Sequence, residues 1–352
     1  MTADPYTVDP DLVATIRDVL SASAPTPRDP GSGVGLDVAL WDKLESLGLA
    51  RLTGDEAEGG SGATWHESAA LLTELASHAV ALPVAEHDLL AGWLLRTAGL
   101  PVDGRIRTMG LVEWDSEGRE VARAVPWARH ADSVVLLSSS GDGRVVTDVA
   151  VADLELTEGL NLAGEPRDDL LVPAEALTGA PVSQDVAEEL FLRAGLVRAI
   201  QVAGALERCL SLALEHTTTR VQFGRPISRF QAVQHLLADV AAEASLARAA
   251  VDAAVRSAAA RDAGGTAEDL AFPVAVARSC TGHAASVVVR HAHQLHGAIG
   301  TTLEHDLHRF TLPALAWRSE YGSTQTWDRR VAELARSAGA DDPNGLWALV
   351  TR

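Results

Sequence analysis

Lysine is almost missing from this chain. Lys43 stands alone, and arginine carries the rest of the positive charge. That bias fits a GC-rich genome as readily as any mechanism, so no function is argued from it. Bases of every kind are outnumbered, 29 against 48 acids, for a formal net charge of -19. Such a balance argues against nucleic acid or an anionic membrane as the main partner. Cysteine is nearly as scarce: Cys209 and Cys280 lie far apart, each inside a helical pattern, and read as buried thiols in a reducing cytoplasm rather than a disulfide. No apolar run reaches the roughly 18 residues of a membrane span, and MTADPYTVDP has neither a basic start nor an apolar core. The sequence therefore reads as soluble and cytoplasmic, with no membrane span.

What is present is length and apolar content. At 352 residues, 47% of them hydrophobic, two or three domains with ample core are expected. In residues 1–102, Leu12, Ile16 and Leu20 fall at fourfold spacing within an amphipathic helix from Asp9 to Ser23. Pro25 to Gly35 reads as a linker, Val38 to Leu47 as a second helix and DEAEGGSG (55–62) as a flexible or substrate-adjacent loop. Helices resume at Thr64 to Ser77 and His87 to Thr97, making an all-α domain. Residues 103–178 change texture. Short β-branched segments, Val134 to Leu137, Val145 to Val151 and Leu170 to Val172, are separated by turn residues, with a hairpin turn predicted at Gly141 to Gly143. Residues 179–352 return to helix. Val186 to Thr217, Ser228 to Arg261 and Thr266 to His293 predict long helices packed antiparallel as a bundle, with a last short helix at Thr324 to Arg336. The fold class is α+β, mostly α.

The stretch RVQFGRPISRFQ, from Arg220 to Gln231, interrupts that bundle. Gly224 and Pro226 break one long helical pattern before another begins, leaving a cationic, amide-bearing corner clamped between helices. Such a corner suits an anion. Farther on lies QLHGAIG, with Gln294, Gly297 and Gly300.

These motifs, with HLLADV between them and the order helical domain, small β domain, helix bundle, resemble the acyl-CoA dehydrogenase family over nearly the whole chain. The resemblance rests on Arg220, Gln222, Phe223 and Gly224, the Phe230-Gln231 pair, Asp239, and Gln294 to Gly297 with Gly300. Weaker echoes are WDKLESLGL (41–49), the loop Gly59 to Gly62, and NLAGEPRD (161–168). The resemblance implies an acyl-CoA substrate, FAD as cofactor and an electron-transfer flavoprotein as acceptor. It further implies that Arg220, Gln222, Phe223, Gln294, Gly297 and Gly300 reach the adenosine pyrophosphate of a flavin across a subunit interface. Guanidinium forks pair with phosphate oxygens, and glycines let backbone amides approach, which fits that role.

The family's base is a glutamate that removes the substrate α-proton in a dry pocket. Counting without gaps from Gln294, its position falls on Tyr321 in Ser319-Glu320-Tyr321-Gly322-Ser323. Glu320 acts as the catalytic residue only if the backbone slips by one position. In members with a helix-borne base, the corresponding place is about Ala194; Glu189 lies a little more than one turn away, off the face. The β domain offers only LVEWD (111–115) for a flavin-holding segment, and Trp114 and Trp127 read as surface or core aromatics. The half-site donated across an interface is kept while the chain's own half is eroded. That pattern resembles actinobacterial α2β2 acyl-CoA dehydrogenases acting on sterol side chains, a likeness that EHDLH (304–308) strengthens. It implies a homo- or hetero-oligomer with a second acyl-CoA dehydrogenase-like subunit. A self-sufficient homotetramer using Glu320, and a flavin-free acyl-binding subunit, stay open beside it.

The only histidine-rich tract holds His291, His293, His296, His305 and His308. Its spacings spread ligands around a helix axis and no thiol joins them, so no metal site is predicted; His305 and His308 read as hydrogen-bonding at a subunit contact. Arg329, Arg330 and Arg336 read as a solvated face rather than a CoA phosphate site.

Overall fold

The computed structural model describes residues 8–23, 33–140, 143–266, 268–341 and 344–351. The chain divides into two compact units, Met1–Arg193 and Ala194–Arg352.

The first unit opens with α1, Pro10–Ser21, capped by Asp9, whose carboxylate accepts the Asp11 N–H at 2.9 Å, and burying Ile16 and Leu20. Helix α2, Val38–Ser46, is capped by Asp37 and buries Leu40, Trp41 and Leu44. Most of the linker expected from Pro25 to Gly35 lies outside the described residues. Helix α3, Trp65–Ser77, starts at a reciprocal cap: the Thr64 hydroxyl accepts from the His66 N–H, and Glu67 accepts the Thr64 N–H at 2.9 Å. The next helix departs from expectation. Ala85–Gly92 winds as a fully buried π-helix and passes into α4, Trp93–Thr97. Its polar residues explain the wider turn. Asp88 accepts the Thr53 N–H at 2.9 Å and hydroxyl at 2.8 Å, while His87 accepts the Arg107 N–H at 3.0 Å, so each needs its own direction.

Seven strands follow: β1 Arg107–Trp114, β2 Glu120–Pro126, β3 Ser133–Ser140, β4 Gly143–Ala150, β5 Glu155–Thr157, β6 Arg167–Leu171 and β7 Ala180–Val182. They form one sheet in the order β5-β6-β2-β1-β3-β4-β7, antiparallel except for β1 beside β3. Ala122, Val125, Val134, Leu136, Val149 and Leu170 share its core. Residues 111–115, read above as a flavin-holding segment, lie at the end of β1. Strand β4 pairs back onto β3 as a hairpin closed by Ser140 opposite Gly143, although Gly141 and Asp142 of the expected turn lie outside the described residues.

Helix α5, Asp185–Thr219, runs from the first unit into the second. A small hairpin, β8 Val221–Gln222 with β9 Arg225–Pro226, separates it from α6, Gln231–Asp262. Then come α7 Glu268–His296, α8 His308–Trp317, α9 Thr324–Asp341 and α10 Gly345–Thr351. Helix α6 buries one stripe, Val240, Ala244, Ala247, Val251, Ala254 and Ala258, and packs along α7, which also meets α9. Small side chains let the helices approach closely. Arg248 of α6 ties to Glu207 of α5 through two hydrogen bonds of 2.6 and 2.8 Å. Among the described residues no helix is long and apolar enough to cross a membrane.

Candidate functional site

The corner after α5 is a two-residue hairpin rather than a plain loop. Gln222 faces Arg225 across it, and both turn residues, Phe223 (φ 51) and Gly224 (φ 77), take left-handed backbone, as a type I′ turn requires. Glycine adopts this freely; phenylalanine does so at a cost. The strained residue is also the most displayed, with Phe223 91% exposed and its ring meeting Phe230 edge-on at 6.0 Å. The hairpin base is closed by the Ile227 N–H donating to the Arg220 carbonyl at 2.9 Å. Arg220 and Gln222 are exposed, and their side chains make no hydrogen bond or ion pair with another described residue. Their donors are therefore available.

The second motif ends α7. Gln294 is exposed and likewise unengaged by any described residue. Gly297 (φ 63) terminates the helix in left-handed backbone, with open space where a Cβ would stand. Gly300 is different: a Cβ there would lie 2.6 Å from the His296 Cβ, so this glycine is required by packing. Taken together, an exposed guanidinium, two exposed amides and open backbone at Gly224 and Gly297 fit the anionic pyrophosphate of a dinucleotide cofactor.

Glu320 sits elsewhere. Its Oε2 accepts the Arg198 Nε–H at 2.7 Å, and Arg198, 1% exposed, also donates to Gln201 at 2.7 Å. Behind this pair the buried Arg278 of α7 donates to the carbonyls of Arg318 at 3.1 Å, Glu320 at 2.7 Å and Gly322 at 3.0 Å. Burial, and then the charge of Arg198, push the Arg278 guanidinium down to about 9, while Glu320 opposes the shift. Tyr321 (φ 52) lies with its ring 5.5 Å from the Arg198 guanidinium carbon. Arg198 and His216, which begins the turn leading to Arg220, are separated by about 27 Å of helix at 1.5 Å per residue.

The helix-borne position is tightly packed. Ala194 is fully buried, and a Cβ on Gly195 would lie 2.8 Å from the Trp327 ring. Glu189 is tied to Arg193 at 3.2 and 3.1 Å, with that guanidinium 4.4 Å from the Trp93 ring centre.

A comparison of sequences decides the family. Over 299 residues the chain is 31% identical to acyl-CoA dehydrogenase IpdE2 of Mycolicibacterium smegmatis, spanning 84% of this chain and 85% of that one. The chain belongs to the acyl-CoA dehydrogenase family. The model of the acyl-CoA dehydrogenase C-terminal domain matches residues 185–335. Acyl-CoA dehydrogenase FadE34 of Mycobacterium tuberculosis is 30% identical over 364 residues, which span 93% of this chain but 49% of that protein. Among solved structures, the ChsE4-ChsE5 complex from Mycobacterium tuberculosis superposes with a TM-score of 0.79 at 25% identity, over 94% of this chain and 98% of that one. Membership places the chain among oxidoreductases acting on acyl-CoA, a family that generally uses FAD.

Within that frame, Arg220, Gln222 and Phe223 share one hairpin, Gln294, Gly297 and Gly300 share one helix end, and Glu320 joins neither. Trp114 is 67% exposed, whereas Trp127 is buried with Val34 and Ala81. Among the described residues no group of three or more His, Cys, Asp or Glu is arranged to hold a metal. The DEAEGGSG loop is cross-bonded, with the Gly60 N–H on the Asp55 carbonyl at 2.9 Å and the Gly62 N–H on the Gly54 carbonyl at 2.8 Å. Sequence reasoning missed Arg198 and Arg278. Their signal was an arginine inside an otherwise apolar helical run, which demands a buried partner.

Proposed function

We propose that this chain is one subunit of a FAD-dependent acyl-CoA dehydrogenase, contributing flavin contacts to an assembly whose second, acyl-CoA dehydrogenase-like subunit carries the base. One contrast supports it: the Arg220, Gln222 and Gln294 donors are exposed and unengaged, while Glu320, the nearest carboxylate to the base position, neutralises Arg198. Bound FAD supplies the hydride acceptor for α,β-desaturation. In this reading Arg220 pairs with phosphate oxygens, the amides of Gln222 and Gln294 donate hydrogen bonds, and Gly297 leaves room for close approach. Gly300 acts indirectly, by letting the turn pack on His296. Phe223 offers its exposed ring as an apolar wall.

Proton abstraction falls to the partner, because a base must be free to take the proton within hydrogen-bond reach of the substrate. A carboxylate consumed by a buried guanidinium is not. The solved ChsE4-ChsE5 complex, itself an assembly of two named chains, supports the heteromeric form. A bulky acyl-CoA substrate, an electron-transfer flavoprotein acceptor and a cytoplasmic location complete the reading. The test is expression of the chain alone and together with its dehydrogenase-like partner subunit. Flavin and acyl-CoA oxidation should appear only in the joint preparation. Stoichiometric FAD and turnover in the chain alone would overturn the proposal.

A further inference from the structure

Three imidazoles meet where the two candidate cofactor motifs approach each other. His216 lies on α5 one turn before Arg220, whose N–H donates to the His216 carbonyl at 2.9 Å. His296 is the last residue of α7, between Gln294 and Gly297. Their rings stack with centroids 4.7 Å apart and planes 30° from parallel. His305, from the segment before α8, closes the group edge-on, 4.5 Å from His296 and 6.4 Å from His216.

The hydrogen bonds assign the protons. His296 Nδ1 faces the Ala292 carbonyl at 2.7 Å and must donate to it, leaving Nε2 as an acceptor that is buried without a hydrogen-bond partner. His305 Nδ1 accepts the Leu307 N–H at 3.0 Å, so in the neutral ring its proton is on Nε2. That acceptor role holds the His305 ring neutral.

We propose that His216, His296 and His305 form a pin joining the Arg220–Phe223 hairpin to the Gln294–Gly300 turn, and that acidification below neutral pH releases both segments together. The consequence for flavin rests on the function proposed above; the pin itself does not. Gly300 transmits any displacement, because its backbone sits directly against the His296 Cβ.

The charges around the rings favour the neutral form. Burial lowers His216 first, then His296 and Arg220. Burial lowers His296 first, opposed by the Ala292 and Leu212 carbonyls, with His305 and His293 adding to the shift. His305 is lowered by burial, then His216, with His308 adding to the shift while Asp306 and Glu215 oppose it. The sign follows: a histidine depressed in the folded state contributes stability fully present above its ordinary value of about 6.5, and lost as pH falls below it. Charging stacked rings beside Arg220 replaces contact with repulsion.

Hydrogen exchange on the full chain tests this, with rates corrected for intrinsic pH dependence. Amides of 220–227 and 297–302 should open together as pH falls from 7.5 to 5.5, with little change above about 6.5 and up to about tenfold per pH unit below it if one proton is linked. His296→Gln, which cannot be charged, should flatten that dependence; His305→Gln, at a more exposed site, provides the same reading if the first variant folds poorly. Segments that respond to pH separately or not at all, or a Gln variant that keeps the wild-type pH profile, would overturn the pin. Flavin retention in the joint assembly is followed over the same range. Joint opening with flavin loss supports pin and function alike, whereas joint opening without flavin loss upholds the pin and removes the flavin reading.

Discussion

Replacing Glu320 by Gln separates a counter-ion from a catalytic base. The side chain keeps its size but loses its charge, leaving Arg198, 1% exposed, and the buried Arg278 as facing cations without their shared carboxylate. Removing one partner of a buried pair costs about 3–5 kcal/mol. Since 18% of the Glu320 side chain reaches solvent, the lower end applies, about 3 kcal/mol. The second step is diagnostic. Adding Arg198→Met removes the stranded cation, so the double variant should be more stable than Glu320→Gln alone, by roughly 1–2 kcal/mol of coupling. Urea denaturation followed by tryptophan fluorescence measures both steps, Trp317 and Trp327 lying beside the pair. Turnover of the joint assembly should change little beyond the lost stability. Unchanged stability with abolished turnover would refute the counter-ion and restore Glu320 as the base.

Other outcomes follow from packing and charge. Gly195→Ala should destabilise the second unit by about 1–3 kcal/mol, because its Cβ would stand 2.8 Å from the Trp327 ring and α5 would have to shift; thermal unfolding reads this, and a neutral result would reopen the helix-borne base position. His87, buried against Trp41 and pushed down to about 3 by burial and then Arg107, should make the first unit acid-sensitive. Its contribution is present above about 6.5 and falls as pH drops, by about 2 kcal/mol at pH 5. His87→Gln should remove roughly one proton from the linkage there, measured by exchange at 85–97; an unchanged slope would assign the acid sensitivity elsewhere.

Much of the bundle was legible because its helices are long and periodic. The expected span Val186 to Thr217 became Asp185–Thr219, and Ser228 to Arg261 became Gln231–Asp262. Short elements were less so. Strand β1 was missed because Arg107 to Gly110 are all buried while Leu111, Glu113 and Trp114 are exposed, so no single alternation runs through it. The π-helix was invisible for a similar reason: periodicity reports a 3.6-residue turn, whereas Glu86, His87 and Asp88 are adjacent polar residues that are all buried. At the candidate site, residue types announced the donors but not the hairpin that displays Phe223, since phenylalanine is not a residue expected at positive φ. The ion pair of Glu320 was illegible altogether. It joins residues 122 positions apart, and only the fold brings them together.

That ion pair changes what the loss of a base means here. A carboxylate has not vanished from the region; it stands one position from the expected place, turned onto a guanidinium that the apolar face of α5 could not otherwise bury. Arg278 then secures the turn through four backbone carbonyls, those of Trp317, Arg318, Glu320 and Gly322, so neither the carboxylate nor the peptide carrying it can swing free without stranding a buried cation. The restraint is mutual. Glu320 offsets the charge of Arg198 and Arg278, and under the proposed function that pairing is what keeps it from serving as a base. Just past the C-terminal end of the same helix, Arg220 has no such obligation, and its charge remains available to a ligand. The helix therefore carries a spent charge within its length and leads, at its C-terminal end, to an unspent one, an arrangement that suits the proposed role of a chain donating to a site it does not complete.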